Sequence, residues 1–181
     1  MLPEMNGLEV LKQIRKTNEH VGIIMLTAKT QEMDKINGLV LGADDYITKP
    51  FSTNELIARI NTIYRRIKKT EQNTKTFKIF KSGPFVFNCK TQILTKNNQR
   101  IGLTNVESQL IYLFLTNAQT AINRSNILNY IWGKNFYGDL KVVDVNIRRL
   151  RMKIEDDPSN PNFLQTVWGY GYIWTNEMQS Q

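Results

Sequence analysis

The sequence predicts two mixed units in tandem: an incomplete α/β unit built on parallel strands, followed by an α+β unit of short strands, three helices and a terminal hairpin. Three observations predict this. Helix and strand patterns alternate through residues 1–67, the apolar periodicity lapses over 68–75, and residues 76–181 carry two groups of short strands on either side of three helical stripes, the first two of them capped.

In the first unit Leu8, Leu11 and Ile14 recur at helical spacing, and Val21-Gly22-Ile23-Ile24-Met25-Leu26 reads as a strand buried on both faces. Met33, Ile36 and Val40 predict a helix from about Gln31 to Leu41, and Tyr46-Ile47 a very short strand. Ser52 and Glu55 form a capping box ahead of the stripe Leu56, Ile60, Ile63, Ile67. Only two strands are convincing, fewer than a parallel sheet needs.

From Arg65 to Lys75 the chain turns polar and basic, and the linker is placed at 68–75. The second unit opens with strands over Phe77–Phe80, Phe85–Asn88 and Gln92–Thr95. Its first helix follows the Thr104/Glu107 capping box, and its second runs from an Asn123 cap to Gly133. The third spans about Val142 to Glu155, and Phe163–Val167 and Tyr170–Trp174 close the chain as a hairpin through Trp168-Gly169-Tyr170-Gly171. This succession describes a winged helix-turn-helix.

Composition narrows the function. A formal charge of +8 favours a polyanionic or anionic-membrane partner. One cysteine, Cys89, excludes an intrachain disulfide and points to a reducing compartment, the cytoplasm. One histidine, His20, argues against a histidine metal site or a Ser/His/Asp triad. No run approaches the roughly 18 apolar residues of a membrane span, and the first residues lack the pattern of a signal peptide.

The third helix carries the chemistry. Val143, Ile147, Leu150 and Ile154 form one stripe, leaving Arg148, Arg149, Val145 and Met152 to face away from it. Such a helix fits a major groove, where arginine donates to guanine or to phosphate. Two readings stay open on the residues alone: duplex contact, or a solvated face paired with Glu155, Asp156 and Asp157. The preceding short helix and the following hairpin favour the first. Asn146 suits adenine or a flanking phosphate, and Trp168 a sugar contact or local packing; Tyr172 and Trp174 suit the core.

The sequence resembles the OmpR/PhoB-type response regulators over nearly its whole length. The resemblance rests on Leu2-Pro3-Glu4-Met5-Asn6-Gly7, Met25-Leu26-Thr27-Ala28, Gly42-Ala43-Asp44-Asp45-Tyr46-Ile47-Thr48-Lys49-Pro50-Phe51, Val143-Asp144-Val145-Asn146-Ile147-Arg148-Arg149-Leu150-Arg151 and Thr166-Val167-Trp168-Gly169-Tyr170-Gly171-Tyr172. It implies a partial CheY-like receiver, a doubly wound parallel sheet lacking its first half, over 1–67, and a winged helix-turn-helix domain over 76–181. It assigns Thr27 as the switch hydroxyl, Tyr46 as the switch aromatic and Lys49 as the phosphoryl-contacting cation, with a cis Lys49-Pro50 bond.

The family's phosphoacceptor aspartate and acidic pair precede the segment matching Leu2-Pro3. The chain is therefore expected to hold no catalytic residue, phosphoacceptor or metal ligand; Mg²⁺ and a histidine kinase belong only to a form carrying those residues. A start codon placed too far downstream or a gene fragment explains this more simply than a genuine short form. The resemblance further implies a homodimer with Lys35 pairing Glu55 and Asp45 pairing Arg59. It places DNA contacts at Lys141, Asn146, Arg148, Arg149, Arg151, Lys153 and Trp168, and an RNA polymerase contact in the loop from Gly133 to Lys141. Trp168 stands where the family often carries a minor-groove arginine. The expected function is sequence-specific binding of double-stranded DNA in transcription control. The alternative is a truncated receiver that pairs with an intact regulator.

Overall fold

The structure, a computed structural model, describes residues 5–28, 41–73, 78–134, 136 and 139–175. In the first unit Asn6 starts α1 (Gly7–Thr17): its side chain accepts the Leu8 and Glu9 N–H groups, and Glu9 accepts the Asn6 N–H in return. Strand β1 (Ile24–Thr27) runs parallel to β2 (Asp45–Thr48), with Ile24 opposite Asp45 and Thr27 opposite Thr48. The run from Val21 to Leu26 is not buried on both faces as expected: Val21 is 40% and Leu26 43% exposed. Among the described residues β1 has one hydrogen-bonded neighbour, and a strand needs one on each side, with layers above and below, to close off both faces. Apart from Leu41, the helix expected over 31–41 lies outside the described residues.

Helix α2 (Thr53–Asn73) begins where Ser52 Oγ accepts the Glu55 N–H at 3.1 Å. It continues through most of the segment read as a linker. That stretch holds no Gly or Pro, and its Lys, Glu and Gln are good helix formers, so loss of apolar periodicity there does not end the helix.

The second unit opens with a four-stranded antiparallel sheet in consecutive order: β3 (Ile79–Ser82), β4 (Phe85–Asn88), β5 (Ile93–Lys96) and β6 (Gln99–Ile101). Helix α3 (Asn105–Thr116) starts from the complete Thr104/Glu107 box. The two-residue β7 (Ile122–Asn123) leads into α4 (Arg124–Trp132), capped by Asn123 and closed at Gly133. Helix α5 (Lys141–Ile154) and the hairpin β8 (Leu164–Val167) and β9 (Gly171–Trp174) complete the unit, with β9 between β7 and β8. Strands β6 and β7 have no counterpart in the sequence reading.

Phe85, Leu110, Phe114, Trp132, Leu150 and Trp174 belong to one buried cluster that joins both sheets to the three helices. Phe85 meets Phe163 edge-on at 4.8 Å and Trp174 at 5.5 Å, and the Trp174 indole donates to Ser82 Oγ at 2.8 Å.

The two units touch. Trp132 Nε1 donates to the Asp44 carbonyl at 3.2 Å, Arg149 to the Ala43 carbonyl at 3.4 Å, and Asn105 to the His20 carbonyl at 2.5 Å. The Arg59 guanidinium lies 4.5 Å from the centre of the Phe136 ring, and Tyr46 packs on the second unit's core.

Candidate nucleic-acid interface

Helix α5 has two unlike sides. Val143, Ile147, Leu150 and Ile154 are buried as the apolar spacing predicts, and Lys141, Arg148 and Met152 form an exposed arc opposite them. Among the described residues Arg148 has no hydrogen-bond or ion-pair partner. Asp144 and Arg151, respectively four residues before it and three after, hold the hairpin. Asp144 Oδ1 accepts the Tyr172 hydroxyl at 2.6 Å and pairs with Arg124 at 2.8 Å. Arg151 donates to the Leu164 carbonyl at 2.8 Å and to Thr166 Oγ1 at 2.9 Å. The hairpin therefore runs along the flank of the helix next to Arg148.

Burial pushes the Tyr172 hydroxyl up to about 12, and its bond to Asp144 adds to the shift. Burial lowers Arg151, partly offset by Tyr172, Glu155 and Asp144. Both side chains act as struts between helix and wing.

The outward placement expected of Arg149 and Val145 is not found: Val145 is 8% exposed and joins the buried cluster. Arg149 is 4% exposed, and its Nη2 pairs at 2.9 Å with Oε1 of Glu107, which has no exposed surface. At 100° per residue it trails Arg148 round the helix to the side facing α3, where the capping-box glutamate is buried. Burial alone would raise the Glu107 carboxyl, but Arg149, Lys153 and the Thr104 N–H together hold it below the ordinary value.

Asn146 and Lys153 also turn this way. Asn146 is fully buried, donating to the Val142 carbonyl at 2.8 Å and accepting from Arg149 at 3.2 Å. Lys153 Nζ is 2.7 Å from both Glu107 Oε2 and the Gly102 carbonyl. The two-sided pattern was legible in the sequence. Which polar residues close the inner side depends on Glu107, whose burial no local pattern reveals.

At the hairpin tip Trp168 is 91% and Tyr170 47% exposed, while Tyr172 and Trp174 are buried. Gly169 takes a φ of 71° at the turn, a left-handed conformation suited to glycine.

Residues 98–174 match the family described as transcriptional regulatory protein, C terminal, and residues 1–61 that described as response regulator receiver domain. The chain is 40% identical over 172 residues to the sensory transduction protein RegX3 of Mycolicibacterium smegmatis, covering 95% of this chain and 75% of that protein. The response regulator DrrB of Thermotoga maritima, an OmpR/PhoB homologue, is 31% identical with a TM-score of 0.51, over 97% of this chain and 76% of that one. This chain belongs to the OmpR/PhoB-type response regulators. It is a sequence-specific DNA-binding transcription regulator of that family. The fold also resembles the Klebsiella pneumoniae RstA DNA-binding domain in complex with RstA box, with a TM-score of 0.52 and 23% identity over 55% of this chain and 99% of that one.

The receiver positions of this OmpR/PhoB-type regulator lie at the ends of β1 and β2. Thr27 sits opposite Thr48, and the Lys49 N–H donates to the Thr27 carbonyl at 2.7 Å, so hydroxyl and lysine emerge side by side. Lys49 is exposed, Tyr46 is half-buried, and the Lys49-Pro50 bond is cis. These residues do not fit a Mg²⁺ ion. Thr27 and Lys49 offer no carboxylate, Asp44 pairs with Arg15 at 2.8 Å, and Asp45 pairs with Arg59 at 3.1 Å. Among the described residues no cluster of His, Cys, Asp and Glu is placed to hold a metal.

Of the residues matched to the family's dimer contacts, Lys35 lies outside the described residues. Asp45, Glu55 and Arg59 are brought together within one chain: Arg59 bonds both Asp45 oxygens, at 3.2 and 3.1 Å, and pairs with Glu55 at 3.3 Å. Among the described residues no helix is long and apolar enough to cross a membrane.

Proposed function

We propose that α5 enters the major groove of double-stranded DNA with its Lys141–Arg148 face, while Arg151 and Asp144 fix the hairpin against the adjoining sugar-phosphate ridge. The observation that carries this reading is the setting of Arg148, exposed and flanked by the two side chains that anchor the wing. Arg148 is the base-reading residue, since a guanidinium can donate twice to guanine. Lys141 serves phosphate, since an ammonium lacks that fork. Arg149, Asn146 and Lys153 support the helix from behind. The RstA domain bound to its box, with the same fold, lends support.

The regulator acts by binding rather than by catalysis, in the cytoplasm, as a homodimer on DNA, with the loop between α4 and α5 meeting RNA polymerase. A histidine kinase addresses only a form that carries the phosphoacceptor. The reading as a module that pairs with an intact regulator is less favoured, because Asp45 and Arg59 are already buried against each other.

A fluorescence-anisotropy titration of the full chain against mixed-sequence duplex, repeated across a salt series, tests the reading. Binding should weaken steeply with salt; Lys141→Ala should lower the slope of log K against log salt by about one, whereas Arg148→Ala should cost about 1–3 kcal/mol of affinity for the preferred sequence and relax the sequence preference. Duplex binding that is absent, or indifferent to salt, would overturn it.

A further inference from the structure

The two units leave a cleft of about 800 Å³ between α2 and the end of α4, a volume within the range of small-molecule sites. One wall is aromatic: Trp132 and Phe136 line it, their ring centres 5.8 Å apart at a tilt of 46°. The other is the face of α2 that carries Glu55, Arg59, Thr62 and Arg65 at helical spacing. Charge is distributed unevenly along this cleft. Arg59 is held by Asp45 and Glu55 at 3.1 and 3.3 Å and stacks on Phe136, so its charge is already committed. Arg65 stands about 15 Å along α2 from Glu55 at the helical rise. It folds over Gly133, where a Cβ would meet its guanidinium at 2.9 Å, and Lys134 lines the cleft beside it. Both cations are exposed, and among the described residues neither has a hydrogen-bond or ion-pair partner. Exposed cations need no partner in water, but these two come from different units and converge on one cleft.

We propose that this cleft binds an adenine nucleotide, its phosphate between Arg65 and Lys134, its base against Trp132 and Phe136, and the amino group of the base toward Glu55. A guanidinium and an ammonium converging from two units suit a phosphate, whose oxygens accept from both at once. The aromatic wall selects a planar base over an aliphatic acid. The length of the cleft selects a nucleotide over a single-ring carboxylate, which reaches one end only. Glu55 bonds Arg59 through Oε1, and a carboxylate keeps further acceptor sites, so that end suits a donor and repels a second anion. Held in this way, the nucleotide ties the receiver unit to the DNA-binding unit.

Isothermal titration of the full chain with AMP, adenosine and inorganic phosphate tests this. AMP should bind. Adenosine, which lacks the anion, and phosphate, which lacks the base, should each bind at least about tenfold more weakly, a factor that one charged hydrogen bond supplies. Arg65→Ala and Lys134→Ala should each lower AMP affinity about tenfold and leave adenosine binding unchanged. Both side chains are exposed, so without nucleotide the variants should unfold at the wild-type temperature. The rise in unfolding midpoint that AMP gives the wild type should shrink in both. Arg148→Ala should bind AMP like the wild type. No measurable AMP binding overturns the proposal, as does AMP binding no tighter than that of adenosine or phosphate. So does wild-type AMP affinity in Arg65→Ala and Lys134→Ala. AMP binding abolished by Arg148→Ala would put the nucleotide on the outer face of α5 and overturn it as well.

Discussion

Arg149 Nη2 lies 2.9 Å from Glu107 Oε1, so a residue of α5 is committed to a carboxylate sealed in the domain interior. Removing Arg149 strips Glu107 Oε1 of its cation in a desolvated site, while Lys153 still holds Oε2 at 2.7 Å. Because Lys153 remains, Arg149→Ala is expected to destabilise the chain by about 1–3 kcal/mol, whereas Arg148→Ala should change stability by no more than about 0.5 kcal/mol. Urea unfolding of the two variants checks this. An Arg149→Ala chain of wild-type stability that has lost only DNA affinity would return Arg149 to the outer face.

The same carboxylate makes stability depend on pH. Arg149 and Lys153 hold Glu107 below its ordinary value in the folded chain despite the opposing effect of burial. With the folded pKa below the unfolded one, its contribution is complete above the unfolded value near 4.5 and is lost as pH falls through the depressed folded value. Acid unfolding monitored from neutral pH downward should show a component that Glu107→Gln removes. An identical acid limb in wild type and variant would contradict the assignment.

These two expectations show where sequence reading stops. The apolar stripe of α5, the Thr104/Glu107 box and the Asn123 cap are local patterns, and each is found at its expected place. The inward turn of Arg149, Asn146 and Lys153 depends on a glutamate more than thirty residues earlier in the chain, a relationship that periodicity within one helix does not encode. Strand β7 is two residues long and exists because β9 arrives beside it, and the helical path through 68–73 is set by propensity where periodicity had lapsed. Thr27 and Lys49, assigned to the receiver switch by resemblance, are far apart in the chain, and parallel pairing of β1 with β2 brings them together.

Tyr172 joins wing to helix through Asp144, and Tyr172→Phe removes that 2.6 Å bond while keeping the ring. Asp144 retains Arg124, so the loss should be modest, about 1 kcal/mol. Duplex affinity should fall with it, because the wing loses a strut. The folded hydroxyl is raised to about 12, mainly by burial, so its contribution is complete below the ordinary value of 10 and is lost as pH rises through about 12. Alkaline unfolding should therefore be less steep in Tyr172→Phe than in wild type; matching curves would show that the hydroxyl carries no such load.

Two glycines of the hairpin should respond differently to alanine. At Gly171 a Cβ meets backbone, the Ile122 carbonyl and Asn123 Cα, which cannot move without separating β9 from β7. Gly171→Ala is expected to cost about 1–3 kcal/mol, as overpacking does, and to displace the wing. At Gly169 nothing lies within 4 Å, and only the φ of 71° resists a side chain, so Gly169→Ala should cost about 1 kcal/mol. Thermal unfolding of both variants ranks them; an equal or reversed order would mean that the hairpin does not pack on β7 as described.

Arg59 bonds both oxygens of its own Asp45 and stacks on Phe136, so the cation matched to the family's dimer surface is closed within one chain and covered from the second unit. A dimer built on exchanged Asp45–Arg59 pairs would have to open this arrangement first, exposing a carboxylate that is fully buried. The free chain is therefore expected to be monomeric and to pair only when DNA brings two copies together. Light scattering of the free chain, set beside the protein-to-duplex stoichiometry at saturation, decides the matter. A stable dimer of free chains that Arg59→Ala dissociates, without unfolding them, would show that the pair acts between chains rather than within one.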